Sequence, residues 1–536
     1  MVEPDVSIKK LISKIKEGTI RIPSFQRGFV WEREMVANFI DSIYKGFPFG
    51  SILLWRTRNR LKTEKNLGPY KLPANDPQYP IDYVLDGQQR ITSIFGVFQN
   101  DLKIDSDEDT TWTNLFFEIN SDNIIPFCYL DLKNLEEHDP NKYFPLKYVF
   151  DPPMYRKMTR NLEENLAEKI DELVTKFTEA RIPIQGFENE EKQNVAIVFE
   201  RINKQGLDLE IFDLLSVWNW SEDFDLRKKF RELSEEIKKE KFGEVNHNLL
   251  LSCCSAVLKN SVDPKVFFNL PSGELRQRFD EVKNGIFIAI DFLKTEFKVF
   301  SLKQLPKDNI LVVLSSFFAS SQKQASPIYD WQHKIIKKWF WRLCFSRRHN
   351  KGGTAITNKD LEEIKKLKEG KDNQLAEISV DILEESYFLK NVFRMNSIPT
   401  SIFILMLADH EPRNFIQGTK ISLDKVLSSG NRNEFHHIFP KAYLKGFEKY
   451  DDTEINCLAN FCMQSRIDNN KLGGRAPSDY RSEMPEDDER FHQILESNFC
   501  FPEMFNDDYD TFLQKRAKLL VKKAKELARL SNYQNI

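Results

Sequence analysis

Around Pro153 the hydrophobic pattern of this chain changes period, and that change constrains its architecture more than any other feature. Before it, short apolar runs such as Ser51–Trp55 and Ile81–Leu85 suit buried strands, and Leu115–Ile119 with Phe127–Leu132 suits a β-pair. Val6–Lys16 and Trp31–Lys45 have helical spacing instead. The second places Met35, Val36, Phe39, Ile40 and Ile43 on one face and stops at Gly46. Arg56–Pro80, rich in Lys, Asn and Pro, reads as a loop. Beyond Pro153 the periodicity is helical and stays so, with Asn161–Ala180, Glu190–Asn203, Leu209–Ser221 and Phe224–Lys241 as expected helices. His349–Asn373, with Gly352, Gly353, Gly370 and many lysines, reads as an exposed segment. The expected class is α+β, mostly helical. A mixed α/β domain occupies 1–222, a helical middle 223–396 and a C-terminal helical unit 397–536.

The formal net charge of -3 provides no global basic field, so any nucleic-acid contact has to come from local patches. Lys334–Lys351 and Gln514–Arg529 are the two basic stretches, and both read first as solvated helix faces. The seven cysteines contain no C-x-x-C pair, which suits reduced thiols in a cytoplasm. Cys457 and Cys462 have the wrong spacing for a zinc site and read as buried apolar thiols. The N-terminal Met-Val-Glu-Pro-Asp carries no apolar stretch. The longest apolar runs, Ile310–Ala319 and Ile402–Ala408, are too short to span a bilayer, so the expectation is a soluble cytoplasmic protein with no membrane partner.

Chemistry concentrates in Glu434-Phe435-His436-His437-Ile438-Phe439-Pro440, which holds two of the eight histidines. Extended backbone sends adjacent side chains to opposite faces, and Pro440 ends the strand. A return strand through Leu458–Met463 brings Asn460 close, and a short helix then presents Asn469 and Asn470. The pattern is two strands and a helix gripping one ion, a ββα-metal arrangement. One imidazole and a downstream Asn suit Mg²⁺ or Mn²⁺, and the other imidazole can take a proton from water.

A second constellation is Asp86-Gly87-Gln88-Gln89-Arg90, between an apolar run and the helical Ile91–Phe98. Strand, glycine turn and helix N-terminus make an anion site, with Arg90 matching phosphate oxygens and Asp86 able to carry Mg²⁺. Asp86 with Gln89 also reads as a capping box that needs no ligand, and both readings stay open on sequence alone. Gln26 and Arg27 lie on a loop bounded by Pro23 and Gly28, where they either read a nucleotide or stack structurally on Trp31. Asn203 lies at a helix end capped by Gly206, with C-terminal capping as its default role.

Phe435-His436-His437-Ile438-Phe439-Pro440, Ile455–Asn460, Asn469-Asn470-Lys471 and Pro477-Ser478-Asp479-Tyr480 resemble the HNH-like C-terminal domain of the GmrSD-type family. That family comprises modification-dependent (type IV) restriction endonucleases and related phage-defence proteins. Phe25–Trp31, Asp86–Arg90 and Phe199–Asn203 resemble the same family's N-terminal domain, which has a ParB-like fold. The resemblance implies nucleoside triphosphate binding and hydrolysis by Asp86, Gly87, Gln88, Gln89 and Arg90, with Gln26, Arg27 and Asn203 nearby. It implies a catalytic His437 supported by Asn460, and a metal held by His436 with Asn469 or Asn470. Asn469 is favoured, nine residues after Asn460 and eight before Pro477. His436 stands where many HNH sites carry Asp or Glu, which tilts metal preference towards Mn²⁺ or Ni²⁺.

The expectation is therefore an NTP-regulated, metal-dependent DNA endonuclease of prokaryotic phage defence that cuts or nicks modified DNA. Double-strand cutting from one site per chain favours a homodimer. The rival readings are a nucleotide-switched DNA-binding regulator and a triphosphatase, each with a non-catalytic HNH-like part.

Overall fold

In the computed structural model the chain divides into two compact units, Met1–Asp225 and Leu226–Ile536. The structure describes residues 3–24, 28–59, 61–73, 75, 80–102, 104, 110–130, 138–191, 194–195, 197–198, 201, 212, 215–216, 224–270, 273–320, 328–346, 348, 353–380, 384–427 and 435–529.

The first unit begins with strand β1 (Asp5–Ser7), helix α1 (Ile8–Glu17), β2 (Ile20–Arg21) and α2 (Arg33–Tyr44). Ser7 caps α1 by accepting from Lys10 N at 3.3 Å, and Gly18 ends it in the left-handed region at φ 78°. Next come β3 (Ile52–Thr57), the small hairpin β4 (Asn66–Leu67) and β5 (Tyr70–Lys71), then β6 (Ile81–Asp86) and α3 (Gln88–Phe98). The expected loop over 56–80 therefore contains the end of a strand and a hairpin. A second sheet holds β7 (Leu115–Glu118), β8 (Phe127–Tyr129) and β9 (Tyr143–Pro145) in the order β8-β7-β9. The unit continues with α4 (Pro152–Thr159), α5 (Glu164–Glu179) and β10 (Arg181–Glu188).

The main sheet runs β1-β10-β3-β6-β2. β10, which the helical reading beyond Pro153 missed, pairs parallel with β3 and antiparallel with β1. Helices α1, α2, α3 and α5 contribute Leu11, Ile15, Val36, Ile40, Ile91, Phe95, Ile170 and Phe177 to one buried core with Ile52 and Val84 of the sheet. Burial of each such side chain contributes about 1.5–3 kcal/mol. This packing holds the end of β6 and the start of α3 in register.

The second unit opens with α6 (Leu226–Lys239), α7 (His247–Lys259), α8 (Glu274–Phe297), α9 (Asn309–Phe318), α10 (Asp330–Cys344) and α11 (Gly353–Lys368). Gly285 lets α8 and α9 approach closely, since a Cβ there would stand 2.5 Å from the Ser315 carbonyl oxygen. The expected exposed segment 349–373 instead contains α11, whose Leu361, Ile364 and Leu367 are fully buried. The basic stretch after Lys334 is a core helix. Trp339, Phe340 and Trp341 are buried, while Lys334, Lys337 and Lys338 pair with Asp330, Glu296 and Glu377.

The chain then forms α12 (Glu385–Lys390), α13 (Ile398–Asp409), α14 (Leu423–Leu427), β11 (Phe435–His437), α15 (Lys441–Lys445), α16 (Asp452–Ile455) and β12 (Phe461–Met463). It closes with α17 (Arg466–Leu472), α18 (Pro477–Tyr480), α19 (Asp488–Ser497) and α20 (Tyr509–Leu527). Ile402–Ala408 of α13 is buried on every side. Among the described residues no helix is long and apolar enough to cross a membrane.

Candidate functional site

In the second unit, β11 and β12 form a two-stranded antiparallel sheet with His436 opposite Cys462 and His437 opposite Phe461. Ser465 follows β12 and caps α17 by accepting from Asp468 N at 3.2 Å. Strand, strand and helix occur in the expected order, but the return strand begins only at Phe461, and Leu458–Asn460 form a 3-10 turn before it.

His437 packs on Phe461, with ring centroids 4.3 Å apart, and its Nε2 lies 3.1 Å from Asn456 Oδ1. Asn456 Nδ2 donates to the Asp452 carbonyl at 2.6 Å, which turns Oδ1 towards the histidine. An amide oxygen only accepts, so Nε2 carries the proton and the lone pair sits on Nδ1. Burial holds the His437 pKa below its usual value, Asn456 pulls it back upward, and Lys441 and His436 add to the lowering. The ring is therefore neutral at pH 7. Asn456 was missed as a site residue because only the fold brings it to the imidazole.

Asn460 is completely buried. Its Nδ2 donates to Phe439 O at 3.1 Å and Ile455 O at 3.0 Å, while Oδ1 accepts from Phe439 N at 2.9 Å. Both donors of this residue, expected to be catalytic, go to backbone carbonyls and tie the exit of β11 to α16. Two more buried groups brace the same turn. Tyr480 Oη donates to Ile438 O at 3.0 Å, and Arg516 Nη1 donates to Ala459 O at 2.6 Å. Arg516 also holds Asn498 O through Nε and Nη2.

His436 turns Nε2 away from solvent. Asn469 is half-buried on α17 and Asn470 is exposed beside it; neither side chain makes a hydrogen bond among the described residues. Asp468 is completely buried and accepts from Ile416 N at 3.1 Å and Gln417 N at 3.2 Å, anchoring α17. Among the described residues no group of three His, Cys, Asp or Glu is placed to hold a metal ion. Burial pushes the Cys457 thiol up to about 11 and the Cys462 thiol up to about 12, which fits apolar thiols and not zinc ligands.

In the first unit, β6 ends at Asp86 and Gly87 starts α3 in the left-handed region at φ 92° without a side-chain cap. The capping-box alternative is therefore not what this turn does. Gln89 faces the chain at 28–30 instead, accepting from Val30 N at 2.9 Å and donating to Gly28 O at 3.1 Å. This ties the turn to the segment following Gln26 and Arg27, which lie outside the described residues, as does Asn203. Gln88 is buried, whereas Asp86 and Arg90 flank the turn at the surface. Arg90 Nη1 donates to Ser51 O at 2.8 Å and lies 3.5 Å from Asp86 Oδ2. Gly50, at φ 86°, leaves room for that guanidinium, whose Cζ is 3.0 Å from where a Cβ would stand. The turn thus sets helix N–H groups without a side-chain cap beside a fixed guanidinium, the chemistry that suits an anion.

Residues 8–219 match the GmrSD restriction endonuclease N-terminal domain. The match spans the Asp86–Arg90 turn and stops short of the double histidine. The chain is also 23% identical over 590 aligned residues to the uncharacterized protein MJ0686 of Methanocaldococcus jannaschii, covering 96% of this chain and 98% of that one. The GmrSD-type domain match and the Arg90 corner thus fall in the same unit.

Proposed function

We propose that this protein is an NTP-regulated, divalent-metal-dependent DNA endonuclease of prokaryotic phage defence that acts on modified DNA. The GmrSD-type match over residues 8–219 supports the restriction class. The observation that carries the nuclease reading is His437, a neutral imidazole with Nε2–H fixed on Asn456 and its lone pair on Nδ1.

That lone pair takes a proton from the water that attacks a phosphodiester, and the Asn456 oxygen steadies the imidazolium that results. Asn460 and Tyr480 hold the strand so that the ring keeps its aim. A divalent cation on His436 and Asn469 supplies positive charge against the phosphate oxygens when bound. In the N-terminal unit, Arg90 and the first N–H groups of α3 take the phosphates of a nucleoside triphosphate, with Gln89 positioning the neighbouring loop. We assign the protein to the cytoplasm and, for double-strand cutting, to a homodimer.

The test is cleavage of modified and unmodified DNA with Mg²⁺, Mn²⁺ or Ni²⁺, with and without each triphosphate. Metal-dependent cutting that responds to a triphosphate supports the reading. Among the described residues no group of three His, Cys, Asp or Glu is placed to hold a metal ion, and the alternative reading is a nucleotide-switched DNA-binding regulator. It predicts binding that weakens steeply with salt and no cutting under any metal.

A further inference from the structure

Helix α20 turns one face to the core and carries its charge on the other. Phe512, Leu513, Ala517, Leu520, Val521 and Ala524 form the buried face. Phe512 packs on Phe439 with ring centroids 4.8 Å apart, and Arg516 Nη1 donates to Ala459 O at 2.6 Å. The helix is therefore fixed against the turn that follows His437. Tyr509–Leu527 holds six basic and two acidic residues, a surplus of four positive charges in a chain whose formal net charge is -3.

Local pairing does not account for that surplus. Lys515 meets Glu503 at 3.4 Å and Lys523 meets Asp409 at 2.9 Å. Lys518 and Lys522 are exposed and form no ion pair among the described residues, although Glu526 stands four residues beyond Lys522. The two lysines lie four apart on one side of the helix, about 6 Å along its axis. Like charges at that spacing destabilise a helix. The helix dipole offers no compensation, because its pull on cations fades within the last turn, where Lys525 stands. Two lysines kept side by side against their own repulsion fit a partner with closely spaced negative charges.

We propose that Lys518 and Lys522 seat the phosphate backbone of duplex DNA on the outer face of α20, the helix that braces the double-histidine turn. Duplex DNA presents one phosphate charge per about 1.7 Å of its axis, so two lysines about 6 Å apart can each meet a phosphate. A bilayer fits poorly, because the apolar stripe of α20 is already buried in the fold and leaves Leu519 exposed between the lysines. The GmrSD restriction endonuclease match favours DNA over RNA. The inference rests on the DNA-cutting reading for its choice of nucleic acid, but its test reads binding alone, so the two fail separately.

The full chain is titrated against a short labelled DNA duplex over a series of KCl concentrations, read by fluorescence anisotropy in EDTA so that no strand is cut. Wild type is compared with Lys518→Gln/Lys522→Gln and with a control, Lys9→Gln/Lys157→Gln, that removes the same charge from exposed sites of the first unit. All four positions are exposed, so both variants keep the fold. Loss of two phosphate contacts lowers the slope of log affinity against log salt by about 1.8 and weakens binding about tenfold or more, whereas the control changes neither. An unchanged slope in Lys518→Gln/Lys522→Gln overturns the proposal. So does an equal loss in the control, failure of the folded wild type to bind the duplex, or tighter lysine-dependent binding of an RNA duplex of the same sequence. Lysine-dependent DNA binding by a protein that cuts under no metal upholds this proposal and removes the nuclease reading instead.

Discussion

His437 Nε2 lies 3.1 Å from Asn456 Oδ1, and this contact decides which ring nitrogen is free to accept a proton. Burial lowers the His437 pKa, so the base is lost only as pH falls below the ordinary histidine value of about 6.5. The acid limb of a cleavage pH profile should therefore sit under about pH 6.5. Asn456→Asp puts a negative charge at the same atom and should move that limb upward by about one pH unit or more. The same depressed pKa makes protonation favour the unfolded state, so this histidine's contribution to stability shrinks as pH drops through that range. A limb that Asn456→Asp leaves in place would remove the contact from the account.

Asn460→Ala strands Phe439 N, Phe439 O and Ile455 O in a buried turn. Each unsatisfied group costs on the order of 1–3 kcal/mol, so the variant should lose about 3 kcal/mol or more in denaturant unfolding of the second unit. Wild-type stability would mean that the clamp is not formed in solution.

Gly50 and Arg90 form a matched pair, since any Cβ at position 50 meets the guanidinium at 3.0 Å. Gly50→Ala also carries about 1–2 kcal/mol of backbone strain in the left-handed region. Both Gly50→Ala and Arg90→Ala should weaken triphosphate binding by about tenfold or more in calorimetry. If both variants bind as wild type does, the anion site lies elsewhere.

Arg516 is a completely buried cation that donates to the carbonyls of Ala459 and Asn498. Arg516→Met fills most of its volume but leaves those carbonyls without donors. The expected loss is about 2–4 kcal/mol in chemical unfolding, well beyond an ordinary surface substitution. A change under about 0.5 kcal/mol would contradict the bracing role.

Much of the local architecture was legible because the relevant signals are local. Gly46 follows the end of α2, and the apolar spacing of Val36, Phe39, Ile40 and Ile43 marks the face it buries, whereas Met35, expected on that face, is exposed. β10 was hidden by Pro183 and Gly186, which argue against an interior strand. The sheet tolerates Pro183 because that residue pairs on the β1 side, whereas pairing with β3 begins at Ile184. α11 was hidden by its lysines, although Leu361, Ile364 and Leu367 already had helical spacing. At the site, the double histidine and the return through Asn460 were visible as a pattern. The spent amide of Asn460, the Asn456 contact and the Arg516 brace were not, since each joins segments that only tertiary folding brings together.

The most direct measurement is single-turnover cleavage of modified duplex DNA by wild type and His437→Ala, with Mn²⁺ and triphosphate present and circular dichroism confirming both folds. The account predicts cutting by the wild type and a loss of at least about 100-fold in the variant, the lower range for removal of a general base. Equal cutting by a folded His437→Ala protein would contradict it.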